Sequence, residues 1–382
     1  MVSALQQSTL DGYETLLPNQ QHVNFQGLSG NDVHVFELYY DGAWHLNDLT
    51  QLAGAPPVAY PTMLNAYVTT FNNQQHINFD GIVGNELHVI ELYYDGAWHW
   101  NDLTSLTGAP ASSQLERGPH GYETSYNHQQ HVNFISNDFH VHELYYDGAW
   151  HHNDLTQLTG APPAGEIVNQ EDESWGSGLT GYETLSPNQQ HVNFIGNDLH
   201  VHELYYDGAW HHNDLTKFTG APNADPHVAF ALYSSLDSYA TTYNRQQHVN
   251  FMANDAHVHE LYYDGAWRHN DLTQLAGAPL IEGASPIDGY ETLLPNQQHV
   301  NFLSLVGKDL HVCELYYDGA WHHNDLTQLT GAPPAQNLTG MDAYATSFNQ
   351  QQHVNFVGTD LHVHELYYDG KWHYNDLTAI AK

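Results

Sequence analysis

Cysteine is all but missing from this 382-residue chain: Cys313 stands alone, so there is no internal disulfide framework and no demand for an oxidising compartment. Basic side chains are nearly as scarce. Seven Lys and Arg face 44 Asp and Glu, a formal charge of −37 that repels a phosphate backbone, so nucleic acid and anionic membrane are not expected partners. Long apolar runs are absent too. No stretch has the length needed to span a bilayer, and the opening Met1-Val2-Ser3-Ala4-Leu5-Gln6-Gln7 lacks a basic start followed by an apolar core. The expectation is a soluble protein without membrane insertion, cytoplasmic or released without a Sec-type signal peptide, with homo-oligomerisation left open. Asn337-Leu338-Thr339 matches a glycosylation acceptor, a pattern too short to carry weight without secretion.

What the chain has in abundance is histidine and repetition. Protonating all 31 His would bring the formal charge from −37 to about −6, so self-repulsion should fall as pH drops through about 6.5. The phrase Glu-Leu-Tyr-Tyr-Asp-Gly-x-Trp begins at Glu37, Glu91, Glu143, Glu203, Glu260, Glu314 and Glu365, ending at Trp44, Trp98, Trp150, Trp210, Trp267, Trp321 and Trp372. A period of about 50 to 60 residues is in the range that builds propellers or solenoids. Approximate units run over residues 11–60, 64–113, 120–165, 180–224, 237–282, 288–336 and 342–382 of a single 1–382 domain.

Each unit reads as four short strands, in the third copy 121–125, 130–134, 140–146 and 150–156, because β-branched and aromatic residues are broken by turn residues. Asp147-Gly148 marks a hairpin between the last two. Gly-Ala-Pro, as at Gly160-Ala161-Pro162, ends the unit, and the links after it drift in length. The longest, Pro163 to Gly181 with its acidic Glu171-Asp172-Glu173, and Asn223 to Asp237, read as surface excursions. Four such strands cannot cover both of their faces alone. Radial stacking solves that, which predicts an all-β fold: a seven-bladed β-propeller of four-stranded antiparallel blades, with a linear β-solenoid as structural runner-up. No shared closing blade is evident, although residues 1–10 are free to contribute.

Between drifting links, certain residues stay fixed. Gln-Gln-His ends at His22, His76, His131, His191, His248, His299 and His353, and Asn-Asp-Leu-Thr follows every Trp, as at Asn47 to Thr50. Alternation puts Val141, Glu143 and Tyr145 on one face of the third strand and His140, His142, Leu144 and Tyr146 on the other. A carboxylate beside an aromatic ring suits a sugar, the ring lying on the apolar C–H side while Glu, His and amide groups bond its hydroxyls. The Trp has two readings that stay open, a filler of the blade interface and a ligand wall. So does the Glu, which neighbouring Gln-Gln-His could satisfy structurally. Asn-Asp-Leu-Thr reads as structural hydrogen bonding near the blade edge.

These motifs, Gln-His-Val, then His-Val-His-Glu-Leu, then Trp-His-His-Asn-Asp-Leu-Thr, resemble the fucose-specific propeller lectins of fungi and bacteria, across essentially the whole chain outside the links. The resemblance implies a pocket between adjacent blades built from a second-strand Arg, a third-strand Glu and aromatic side chains including a Trp. By position the Glu is Glu37 and its six counterparts, and the aromatic is the repeat Trp. Where that family has Arg, this chain has His22 and its counterparts, and only Arg117, Arg245 and Arg268 exist at all. Glycans or glycoconjugates are the implied partners, fucose or a related monosaccharide the implied ligand, with no cofactor and no catalysis.

Two other classes compete. His140, His142 and His152 could meet as metal ligands, with His200, His202, His212 and His257, His259, His269 repeating the set, and His311, Cys313 and His323 in the sixth unit. Phe36 with Leu46, and Ile90 with Trp100, replace two of the three together, which suggests that these positions touch across a three-residue hairpin loop; a two-residue Asp-Gly loop would put them on opposite faces and remove the site, and partly exposed surface histidines are the favoured alternative. An enzyme would concentrate unique groups in one pocket, whereas every candidate acid here recurs by unit.

Overall fold

The computed structural model describes residues 2–16, 18–113, 118–165, 177–225, 235–282, 285–293 and 295–382; Arg117, Glu171-Asp172-Glu173 and parts of both long links lie outside the described residues. The first repeat folds as β1 (Leu10–Leu16), β2 (Asn19–Ser29), β3 (Asp32–Tyr40) and β4 (Trp44–Asp48), an antiparallel sheet in sequence order. Six more four-stranded sheets follow with the same order, giving the seven-bladed β-propeller that the repeat count predicts. The first strand of each blade lies beside the first strand of the next, and β1 packs against the seventh blade's first strand (Met341–Thr346), so the ring closes.

Closure uses the same bonds as every other junction. Between blades one and two the link gives Val58 N to Val33 O at 2.9 Å and Ala59 N to Asp80 O at 2.7 Å. Between blades seven and one those two places are taken by the start of the chain, with Ala4 N donating to Leu361 O at 2.9 Å and Leu5 N to Gln26 O at 3.0 Å. The segment before β1 thus acts as the missing link through Ala4 and Leu5.

Register then sorts the side chains. Pairing of His22 with Tyr39, Asn24 with Glu37, and Glu37 with Asn47 makes one face of the blade polar. The opposite face carries Val23, Phe25 and Leu38, all buried. Each polar face meets the next blade's apolar face, so Tyr13 and Val35 of the first blade share a core cluster with Leu64, Ile77, Phe79 and Leu92 of the second. The strand-two Phe of every blade, Phe25, Phe79, Phe134, Phe194, Phe251, Phe302 and Phe356, is fully buried. Each contributes roughly 4 to 6 kcal/mol of apolar burial before entropy costs.

Two local features differ from, or settle, the sequence reading. The fourth strand stops at Asp154, and Leu155–Thr159 form a one-turn helix instead of continuing the strand. Asp154 caps it by accepting from Gln157 N at 2.8 Å, and Gly160 ends it in the left-handed region with φ 69°. The Asp147-Gly148-Ala149 loop has three residues, since Tyr146 pairs directly with Trp150. Among the described residues no helix is long and apolar enough to cross a membrane.

Candidate functional site

At the middle of each blade three strands each supply one polar group. His22 from β2 lies with Nδ1 2.9 Å from Glu37 Oε1, and Asn47 from β4 donates Nδ2 to Glu37 Oε2 at 2.8 Å. The trio recurs as His76, Glu91 and Asn101, and as His131, Glu143 and Asn153. It continues with His191, Glu203 and Asn213, then His248, Glu260 and Asn270. His299, Glu314 and Asn324, and His353, Glu365 and Asn375, complete the ring. Every one of these Glu and His side chains is buried.

Burying a carboxylate costs free energy unless its oxygens are bonded, and here they are. Burial acts to raise the Glu365 carboxyl, but the bonds from His353, Gln21 and Asn375 outweigh it and hold the group below the usual carboxylate range. The histidine is held from its other side too. Thr15 Oγ1 gives its one proton to Pro18 O at 2.8 Å, so it faces His22 Nε2 as an acceptor. His22 is thus held at both ring nitrogens, between Glu37 and Thr15. Tyr13 stacks on that ring with centroids 4.9 Å apart and planes 5° from parallel.

Cavities open where these trios meet the next blade. The one between the first two blades has a volume of about 740 Å³; Glu37, His22, Asn47 and Tyr39 line it from one blade, Tyr94 and Trp98 from the other. Cavities of about 190 Å³ lie between blades three and four, where Glu143 and His131 face Trp210, and between blades five and six, where Glu260 and His248 face Trp321. The expected Glu, His and Trp do come together, but across a junction: the Trp belongs to the following blade. Tyr94 and Trp98 form a tilted aromatic corner, 5.4 Å between centroids.

The repeat Trp lines cavities and packs on the core. Trp98, Trp210 and Trp321 wall these cavities, and each also packs on a core cluster. Trp150, Trp267 and Trp372 likewise pack half-buried against the core. Trp44, at the closing junction, is 7 % exposed and belongs to a core cluster with Val2 and Ala381 packed on it. Sequence reasoning misplaced one group. Tyr39, Asn47 and Gln75 line the first cavity, and the Asn was assigned to the blade edge because its register opposite Glu was not used.

The second set of histidines sits on the apolar face. His142 Nδ1 meets His152 Nε2 at 2.9 Å, so the positions that vary together do touch. His142 Nε2 lies 3.0 Å from Ser136 Oγ, and His140 turns away to bond Asp154 at 2.8 Å. The three His atoms do not converge on one point. Asp138, His140, His142 and Asp154 do offer ligand atoms within 4.8 Å of one another, as do Asp255, His257, His259 and Asp271. Hydrogen bonds among these groups and the helix cap already use the same atoms.

No family model and no curated protein matches the chain. Solved structures do. Over 96 % of this chain and 98 % of the other, it superposes on the BP39L lectin from Burkholderia pseudomallei with a TM-score of 0.62 at 17 % identity. A variant of the Aleuria aurantia lectin in complex with alpha-methyl-L-fucoside gives 0.54 at 13 % identity, covering 98 % and 96 % of the two chains. Another Aleuria aurantia lectin structure, described as a six-bladed propeller with a novel fucose recognition mode, gives 0.52 at 13 % identity, again covering 98 % and 96 %. The fold is that of the propeller lectins, as the sequence motifs led one to expect.

Proposed function

We propose that this chain is a multivalent carbohydrate-binding protein, a lectin without catalytic activity, that takes fucose or a related monosaccharide of a glycan at the junctions between blades. One observation carries the reading: at the first junction the buried Glu37 carboxylate, bonded by His22 and Asn47, opens onto a cavity walled by Tyr94 and Trp98 from the next blade. Polar groups that fix orientation beside aromatic surface are what a sugar ring needs. The solved lectins that share the fold, one of them holding alpha-methyl-L-fucoside, point the same way.

In this reading the carboxylate accepts from sugar hydroxyls, His and Asn hold it in orientation, and the following blade's aromatic corner takes the C–H face. Linked sites raise avidity by roughly 10² to 10⁴-fold on a surface that presents several ligands. A glycan array tests it: retention of fucosylated or related neutral glycans is expected, and no binding to any sugar overturns it.

Histidine-mediated metal binding is the second reading, favoured by the Asp138, His140, His142 and Asp154 grouping. Metal analysis of protein purified without a histidine tag separates the two: stoichiometric zinc, nickel or copper would support it, and metal-free protein that still binds glycans would reject it.

A further inference from the structure

The seven junctions are not equivalent, and the turn between a blade's first two strands divides them. In blades two, three, five and seven that turn is Thr70-Phe71, Ser125-Tyr126, Thr242-Tyr243 or Ser347-Phe348; in blades one, four and six it ends in Pro18, Pro187 or Pro295. The following blade is matched to it. Where the turn is aromatic, the next first strand carries Glu123, Glu183, Glu291 or Glu14; where it carries Pro, the same position is Val68, Ala240 or Ala345.

The structure shows what the match does. Thr70 N and Oγ1 donate to Glu123 at 2.6 and 2.7 Å, and Ser125 N and Oγ donate to Glu183, both at 2.7 Å. Thr242 N to Glu291 and Ser347 N to Glu14, each 2.7 Å, repeat the clamp. At the three other junctions Val68, Ala240 and Ala345 have no group with which to make it.

The polar trio responds. At the junctions after blades one, four and six, Tyr13, Tyr182 and Tyr290 donate to the side-chain oxygen of Gln75, Gln247 and Gln352, at 2.8, 3.1 and 3.3 Å. That holds the amide by its oxygen and leaves its NH2 for a guest. At three of the four clamped junctions the amide nitrogen turns inward instead: Gln130 bonds Glu91, Gln21 bonds Glu365, and Gln298 lies 3.3 Å from His248. The Thr to His distance shifts in step, 3.3, 3.2 and 3.4 Å at unclamped blades against 2.9, 2.9, 3.0 and 2.9 Å at clamped ones. The cavity at the unclamped first junction, about 740 Å³, is larger than those at the clamped third and fifth, about 190 Å³ each.

Resting on the carbohydrate reading above, we infer that this ring is trivalent: the junctions after blades one, four and six take the sugar, through Glu37, Glu203 and Glu314, and the four clamped junctions are structural. Three sites separated by three, two and two blades are spread as evenly as seven blades permit.

Native mass spectrometry of the intact chain titrated with alpha-methyl-L-fucoside, and in parallel with methyl alpha-D-galactoside, counts the sites. The expected result is saturation at three for whichever sugar binds, with crystals soaked in that sugar showing it only between blades one and two, four and five, and six and seven. Saturation at four or seven, or density at a clamped junction, overturns the trivalent assignment while leaving the lectin reading intact; no binding of either sugar, nor of any on the array, overturns both. The Glu37→Gln, Glu203→Gln, Glu314→Gln triple variant should lose all detectable binding, and retention of four sites by it would contradict the assignment. Should that variant fail to fold, the site count and soaked crystals of the unaltered chain decide alone.

Discussion

Glu37 and Trp98 line one cavity from two different blades. Neither blade holds the pair by itself, so any activity of this cavity depends on the ring that sets one blade against the next. The same relation holds for Glu143 with Trp210 and Glu260 with Trp321.

Removing one wall tests the pairing. Trp98→Ala should weaken sugar binding at the first junction by about 10-fold, since an aromatic contact is worth about 0.5 to 1.5 kcal/mol beyond its buried area. Calorimetric titration would show one class of sites weakened and the rest unchanged; uniform loss across all sites would point instead to damage to the ring.

Ring closure by the amino-terminal segment predicts a stability cost for its removal. A chain lacking residues 1–8 loses the bonds from Ala4 to Leu361 and from Leu5 to Gln26, along with the buried Ala4 in the closing core. Its melting temperature should fall by several degrees in calorimetry, and blades one and seven should exchange amide hydrogens faster than blade four. Equal protection around the ring would contradict this.

The inner strands carry a pH dependence. Asp11, Asp237, Asp288 and Asp342 converge with Asn65, His120 and Thr180 on a cavity of about 210 Å³ lined by the innermost strand of every blade. Burial pushes the Asp11 carboxyl up to about 8 and Asp237 to about 7, and it raises Asp288 and Asp342 as well, helped by repulsion from Asp237 and Asp11 at Asp288 and from Asp288 and Asp11 at Asp342. A carboxyl raised on folding favours the folded state most when protonated. Its contribution is therefore lost as pH climbs from about 4 to about 8. Burial also lowers His120 to about 4, which opposes stability as pH falls from about 6.5 towards 4. Asp237 accepts from Gly289 N at 2.8 Å just as Asn65 accepts from Gly121 N at 2.6 Å, so an amide can fill the place. Asp237→Asn should raise the melting temperature more at pH 8 than at pH 5; an equal shift at both would refute the titration.

Core packing gives the plainest expectation. Phe251 is fully buried, and Phe251→Ala should cost about 3 to 5 kcal/mol by chemical denaturation. A cost under about 1 kcal/mol would contradict the close packing of blade on blade.

Much of this was legible in the sequence. Seven copies of one phrase, with the Asp-Gly hairpin and Gly-Ala-Pro links, are sufficient for a seven-bladed ring of four-stranded sheets. The joint replacement of His142 and His152 by Phe36 and Leu46 foretold both their contact and the three-residue loop. The one-turn helix was hidden because Leu155-Thr156 favours a strand until Asp154 is recognised as a cap. Within the site, alternation put Glu143 and Tyr145 on one face, but it says nothing about which blade supplies the opposite wall. Only packing assigns Trp210 to the cavity of Glu143. The pairing of turn type with Glu123, Glu183, Glu291 and Glu14 was present in the sequence throughout, and it acquires meaning once adjacent blades are seen to touch.

The central claim is that sugar sits at a blade junction between a buried carboxylate and the next blade's Trp. A crystal structure of the chain soaked in alpha-methyl-L-fucoside tests it most directly. The account predicts a pyranose between Glu37 and Trp98, with a hydroxyl within hydrogen-bond reach of the carboxylate and the ring's apolar side on the indole. A sugar bound elsewhere on the molecule, with that junction filled only by water, would contradict it.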